Sequence, residues 1–389
     1  MSDFGIICEF NPIHNGHVRL IQKARELGAE RVVCIMSGNA VQRGELSIAD
    51  KYFRAEQAIK CGADLVLELP YPYASASAEY FARAGVSILS DFVDNIIFGS
   101  ECGDISLLTN AAECATDDGF RAAVSTRIEN GEGAGNAYFG ELESRGFCNL
   151  SSNDILGVEY IRAAKELYAD LNFFTIKRDG SMYLDTELKQ NENPSASAIR
   201  RLFEDSDPDL SLLSEYMPQS AASALIEAKK RGELTDMREL DTAMLSFFRL
   251  HSGAEFEDIA EAGGGLANRI CSLARESESS FEMFEKLKTK RYTDARLRRA
   301  ILFSMTGVTH SLLDEKPSYT VLLAANASGR ALLSGKRKLD GITVVTKPAD
   351  APECAQTQAS ARLDAIFTLA RKQKLEAGAM LKKRAYVES

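Results

Sequence analysis

The chain has 389 residues, of which 45% are hydrophobic and 26% charged, and its formal net charge is −10. Such a length implies two or three domains, the apolar content excludes a disordered chain, and no apolar run is long enough to cross a bilayer. The acidic balance argues against a protein coated in nucleic acid, although one basic patch suffices for binding because local charge decides. The eight cysteines form no CxxC pair. Cys8 and Cys34 sit inside apolar runs, so buried thiols in a reducing compartment are expected, not a zinc site or a disulfide framework. The opening MSDFGIICEF lacks the charged start and long apolar stretch of a secretory signal, and a cytoplasmic protein without membrane association is expected.

The first apolar run, FGIICEF, is brief, rich in isoleucine and ended by turn residues, as a buried strand would be. HVRLIQKARELG follows, with Leu20, Ile21, Ala24 and Leu27 on one helical face and Gly28 as a stop signal. RVVCIMS reads as a second strand, ADKYFRAEQAIKCG as a helix, and DLVLELP and NIIFGS as strands three and four. Residues Asp104 to Phe147 read as inserted helices, NDILGVEYIRAAKELY as a further helix and LNFFTIKR as a fifth strand. This alternation of apolar strands and helices predicts an α/β fold with a Rossmann-like, doubly wound parallel sheet over residues 1–200. Beyond Arg200 the strand signals fade, and residues 201–389 are predicted to be mainly helical. SYTVLLAANASG and GITVVTK supply a small α/β part before closing helices in ARLDAIFTLARKQKLEAGAMLKKR.

Parallel sheets bind ligands beyond the carboxyl ends of their strands. The turn EFNPIHNGH lies there and holds His14 and His17, two of only four histidines. Gly16 lets a ligand approach the backbone, the next helix offers free N–H groups, and two imidazoles spaced i and i+3 share one face. Together these suit a polyphosphate, each ring donating to charge that develops on phosphorus. Two rival readings stand beside it: a metal held by HxxH, with no third His or Cys cluster in view, and a histidine that only caps the helix. A second element, NENPSASAIRRLF, sets Ser195 and Ser197 at a helix start with Arg200 one turn on. The serines suit a helix cap or a phosphate, and Arg200 supplies a planar cation for phosphate oxygens.

HNGH with SASAIR resembles the paired (H/T)xGH and ISSTxxR motifs of the nucleotidylyltransferase superfamily. The ordered blocks CEFNPIHNGH, MSGNAVQRGE, ADLVLELPY, FGSECGD, SNDILGVEY and LKTKRYTDARLRR are similar to the bacterial tRNA(Met) cytidine acetate ligase family nearly end to end. The resemblance implies a nucleotidylyltransferase-type sheet and an enzyme that uses ATP, with Mg2+, to activate acetate as acetyl-adenylate. The acetyl group would then pass to N4 of the wobble cytidine of elongator tRNA(Met), with no obligate protein partner evident. By matching position, the ATP site would span Ile7 to Leu20, including Glu9, Phe10, Asn11, Pro12, His14, Gly16 and His17, with Gly99, Asn153 and Arg178 completing it. His14 and His17 would be the catalytic pair, with Ser197 and Arg200 helping to hold phosphates. The chain departs from the usual pattern at Ala40, where an aromatic residue is common, and at Leu46, where proline is.

KLKTKRYTDARLRR, from Lys286 to Arg299, carries seven basic residues against Asp294 alone. Helical spacing would set Lys288, Arg291, Arg296 and Arg299 in an exposed band near Tyr292. With Lys290, such a band could grip tRNA phosphates while the ring stacks on a base; a solvated charged helix is the plainer reading. GKRK at 335–338 and LKKR at 381–384 are weaker candidates. Two other functions share part of this pattern. A small-molecule nucleotidylyltransferase would release pyrophosphate without tRNA, and a nucleotide-sensing RNA-binding protein would turn nothing over.

Overall fold

The computed structural model describes residues 2–178, 195–205, 208–335 and 341–388. β1 (Asp3–Cys8), α1 (Asn15–Glu26), β2 (Arg31–Ser37), α2 (Lys51–Lys60), β3 (Leu65–Leu69), α3 (Ala78–Leu89) and β4 (Asn95–Ser100) alternate as the apolar runs predict. Three inserted helices follow, α4 (Ile105–Thr116), α5 (Asp118–Glu129) and α6 (Ala134–Ser144), then α7 (Ser152–Glu166) and β5 (Asn172–Lys177). A helical stretch comes next: α8 (Ala196–Asp205), α9 (Leu210–Tyr216), α10 (Gln219–Lys230), α11 (Asp241–Leu250), α12 (Leu266–Glu276), α13 (Ser280–Leu287), α14 (Asp294–Thr306) and α15 (His310–Asp314). The chain ends with β6 (Tyr319–Ala325), α16 (Ala327–Gly335), β7 (Thr343–Val345), α17 (Ala355–Leu369) and β8 (Tyr386–Val387).

Among the described residues the strands form one sheet in the order β5-β4-β1-β2-β3-β6-β7, with β8 also on β6. β5 to β3 run parallel, and β6 joins β3 antiparallel. The strands predicted near the C-terminus therefore extend the first sheet, so the change of pattern near residue 200 does not divide it. Side chains alternate between faces, as the period of two requires. Phe4, Ile6 and Cys8 enter one core with α1, α2 and α8 to α10. Ile7, Val33 and Ile35 enter the other, under α3, α4 and α7. A third core joins α11 to α14 and α17 to Ala40, Leu46, Tyr71 and Ala76, which follow β2 and β3. The helical region is thus docked on the loops at the carboxyl edge of the sheet, and the Tyr71 and Thr306 hydroxyls meet there at 2.6 Å.

The basic stretch 286–299 is not one helix. α13 ends at Leu287, residues 289–292 close a turn through a Thr289–Tyr292 bridge, and Thr293 caps α14. The exposed band expected from a continuous helix is broken, and Arg299 is buried against Glu261 at 2.8 Å.

Candidate active site

β1 is central, with β2 and β3 on one side and β4 and β5 on the other. The chain direction across the sheet reverses between β1 and β4, and the crevice beyond their carboxyl ends is where such a sheet takes a ligand. The turn from β1 to α1 lies at that point. Its second residue, Phe10, has φ of 43°, a conformation costly for a side chain with a Cβ, and its ring is fully buried. Burial repays the strain by packing the Phe10 ring edge-on to His17, centroids 5.0 Å apart.

His14 is the N-cap of α1. Its Nδ1 accepts from the Gly16 N–H at 3.1 Å, and His17 Nδ1 accepts from the His14 N–H at 3.3 Å. The two rings lie 3.8 Å apart, tilted by 31°. Burial lowers the His14 pKa to about 3, with Arg178 adding to the effect. Burial, then His14, then Arg178 hold His17 well below its usual value. Both rings are therefore neutral at pH 7, and their occupied Nδ1 atoms fix the proton on Nε2. The capping role and the donor role are one arrangement: capping aims two Nε2–H donors.

α8 reaches the same turn from across the chain. Ser195 Oγ accepts from the Ala198 N–H at 3.1 Å, so Ser195 caps the helix. Arg200 donates to the Asn11 carbonyl at 2.8 Å, to Ser197 Oγ at 3.2 Å and to Glu45 at 3.1 Å. The other side of the crevice holds Gly99, Asn153 and Arg178. Asn153 donates to Glu101 Oε1 at 2.6 Å, Arg178 Nε lies 3.8 Å from the same oxygen, and Ser151 donates to Oε2. A Cβ on Gly99 would stand 3.2 Å from Arg178 Cγ, so glycine there makes room for the arginine stem. The α7 start is fixed by Asp154. Burial opposes its charge, but the Ser151 and Cys102 N–H groups hold its carboxyl below the usual range.

Not every residue between Ile7 and Leu20 is free to meet a ligand through its side chain. Ile7 and Leu20 are buried in the cores on opposite faces. Glu9 accepts from the Gln42 N–H at 3.0 Å, and burial raises its pKa. Asn11 Oδ1 accepts from Ile48 N–H at 2.7 Å, while its Nδ2 is buried without a partner among the described residues. Pro12 lines a small crevice with Phe10, Phe53 and Met217. Ala40 is fully buried and bridges Leu46. Both departures from the family pattern thus fall in one packed contact.

Sequence reasoning missed Arg54. It is fully buried, and it donates to the carbonyls of Ala49 and Ser37 at 3.0 Å each, and to those of Glu9 and Gly38. It thereby ties the ends of β1 and β2 together. Burial lowers its pKa to about 10, which leaves it charged at neutral pH. Lys51, Glu68, Asp364 and Asn39 form a second buried network. Lys51 Nζ lies 2.8 Å from Glu68 and 3.4 Å from Asp364, and Asn39 donates to Asp364 at 2.7 Å. Nothing in the sequence spacing links Asp364 to this loop. No group of three or more His, Cys, Asp or Glu side chains gathers as a metal site among the described residues. The acids around the turn, Glu9, Glu45 and Glu101, already accept hydrogen bonds.

In the basic segment, Lys288 pairs with Glu285 at 2.6 Å, and Arg296 with Glu261 at 3.5 Å. Lys290 and Arg291 are exposed and make no ion pair among the described residues. Arg298 reaches Glu45 at 3.2 Å, so one carboxylate touches both Arg200 and the basic segment. The GKRK candidate at 335–338 lies outside the described residues after Gly335.

The family model described as HIGH Nucleotidyl Transferase matches residues 1–380. The chain belongs to that family. This HIGH nucleotidyl transferase is 35% identical over 370 residues to the tRNA(Met) cytidine acetate ligase of Acetivibrio thermocellus, covering 90% of this chain and 89% of the relative. It is 36% identical over 352 residues to that of Caldicellulosiruptor bescii, covering 87% and 86%. The crystal structure of apo Thermotoga maritima TmcAL superposes with a TM-score of 0.90 at 29% identity, covering 100% of this chain and 99% of that one. A second, of the same protein bound with alpha-thio ATP, gives 0.88 at 28% identity and covers both chains completely. The Rossmann-like α/β sheet of this HIGH nucleotidyl transferase is the class that the strand pattern predicts.

Proposed function

We propose that the chain is an ATP-dependent tRNA(Met) cytidine acetate ligase. The observation that carries this reading is the pair of imidazoles 3.8 Å apart at the β1 turn, both Nδ1 atoms accepting backbone N–H groups, with Arg200 brought to the same turn from α8. In the first step an acetate oxygen attacks the α-phosphorus of ATP. The bond to the bridging oxygen breaks, and pyrophosphate leaves with the electron pair. Acetate is already a nucleophile at neutral pH, so the protein needs to supply orientation and charge stabilisation but no base. His14 and His17 donate to the phosphate oxygens, Arg200 and Ser197 hold the leaving end, and Asn153 and Arg178 meet the nucleoside side. Mg2+ would ride on phosphates and water, which suits a site whose acids are already engaged. In the second step N4 of the wobble cytidine attacks the acetyl carbonyl, AMP leaves, and the nitrogen loses one proton.

Relatives at 35% identity named for this activity, over nine-tenths of the chain, support the reading. Lys288, Lys290, Arg291 and Arg296 are the tRNA contacts in this account, with the free charges of Lys290 and Arg291 foremost. Its substrates, ATP and tRNA, belong to the cytoplasm, and no helix among the described residues is long and apolar enough to cross a membrane. The test is incubation with ATP, labelled acetate and a tRNA mixture. Label should appear in elongator tRNA(Met) alone. Pyrophosphate release with a nucleotidylated small molecule and no tRNA label would replace this reading with a small-molecule nucleotidylyltransferase.

A further inference from the structure

We propose that the surface around Arg291 and Tyr292, bordered by two glycine-rich stretches at 131–135 and 263–265, is the track along which an RNA backbone runs. The proposal rests on the tRNA reading above and adds residues that nothing in the sequence motifs assigns. Gly133 comes so close to the Arg291 carbonyl that a Cβ would stand 3.2 Å from it. The turn between α5 and α6 therefore borders the basic turn. On the other side, Tyr292 O–H donates to the Gly264 carbonyl at 3.3 Å.

The glycines themselves carry the argument. A Cβ on Gly131, Gly135, Gly263 or Gly265 would meet nothing within 4 Å. Gly131 and Gly265 have positive φ, which accounts for them. Gly135 and Gly263 do not, so neither packing nor backbone conformation calls for glycine there. Gly135 lies inside α6, where glycine weakens the helix. Bare backbone without an internal reason fits a partner that approaches closely from outside.

The charge says which partner. Three acids beside the turn are engaged: Glu132 with Arg127 at 3.3 Å, Glu261 with Arg299 at 2.8 Å, Asp294 with Lys288 at 3.8 Å. Lys290 and Arg291 are left to face an anion. The Tyr292 ring has Arg291 and Arg296 guanidinium carbons 5.4 Å and 5.0 Å from its centroid. Phe284 has Lys288 Nζ at 5.5 Å and the Arg298 guanidinium at 5.2 Å. Cations flanking aromatic rings suit a chain of phosphates and bases.

The experiment uses the full chain and an elongator tRNA(Met) transcript, with binding followed at low and near-physiological salt. Gly135→Glu and Gly263→Glu should each weaken tRNA binding about tenfold or more, most strongly at low salt. Gly135→Ala and Gly263→Ala should weaken it less. The unfolding midpoint should hold in all four. Wild-type tRNA affinity in both glutamate variants overturns the proposal, and so does weakened binding that appears only with a lowered unfolding midpoint. If the wild-type chain catalyses no acetate-dependent exchange of pyrophosphate into ATP while the glutamate variants still lose RNA, the track stands and the ligase reading falls.

Discussion

His14 and His17 hold each other in place: the His17 ring accepts the His14 backbone N–H at 3.3 Å, and the two rings face each other at 3.8 Å. One backbone turn thus sets the rotamer, the tautomer and the separation of two neutral donors. Removing the His17 imidazole should cut acetate-dependent ATP–pyrophosphate exchange by about 10²–10³-fold, the usual loss for a donor aimed at developing charge. The lost cap costs about 1 kcal/mol of stability, so His17→Ala should remain folded. Exchange measured beside a melting curve checks both halves.

Burial holds the His14 pKa at about 3, against an ordinary value near 6.5. Between those values the unfolded chain binds the proton and the folded chain does not, so stability rises with pH across that window and is fully present above it. Lowering the pH from 7 to 5 should therefore destabilise the protein by about 1–2 kcal/mol through this ring. Denaturant unfolding at the two pH values measures it. His14→Asn, which keeps a capping acceptor, should reduce the dependence and leave the part that His17 contributes.

Arg200 spends its donors on Asn11, Ser197 and Glu45 together. A lysine cannot reproduce that planar fork. Arg200→Lys should raise the KM for ATP by about tenfold, with the fold intact. An unchanged KM would remove Arg200 from the phosphate site.

Arg54 satisfies the carbonyls of Glu9, Ser37, Gly38 and Ala49 from inside the core. Arg54→Met leaves four acceptors short of a donor, and should cost about 3 kcal/mol or more. The β1 and β2 ends would loosen with it, so ATP affinity should fall in parallel. Equilibrium unfolding and nucleotide titration of the same variant test the pair of effects.

Lys290 and Arg291 carry exposed charge without an ion pair among the described residues. Replacing both with glutamine should weaken tRNA binding and reduce the slope of log affinity against log salt by about 1–2. Adenylate formation should continue. A salt slope equal to that of the wild type would show that neither residue meets a phosphate.

The five strands of the parallel sheet and the HNGH turn were legible because short apolar runs and turn residues are local signals. The joining of Arg200 to Asn11 was legible only through the order of motifs, since 189 positions separate them. Other features carry no local signature. Strand β6 reads as any apolar run, and its place between β3 and β7 depends on tertiary packing. Arg54 looks like one more helix charge until the loops fold over it, and Asp364 reaches Lys51 across 313 positions. The basic stretch misled because its charge count says nothing of the turn at Thr289–Tyr292 or the burial of Arg299.

The most direct measurement is a crystal structure of this chain with a non-hydrolysable ATP analogue. The α- and β-phosphates should lie within hydrogen-bond distance of Nε2 of His14 and His17, with Arg200 turned onto the triphosphate. A nucleotide bound away from the β1 turn, or a metal ion ligated by the two imidazoles in its place, would contradict the account.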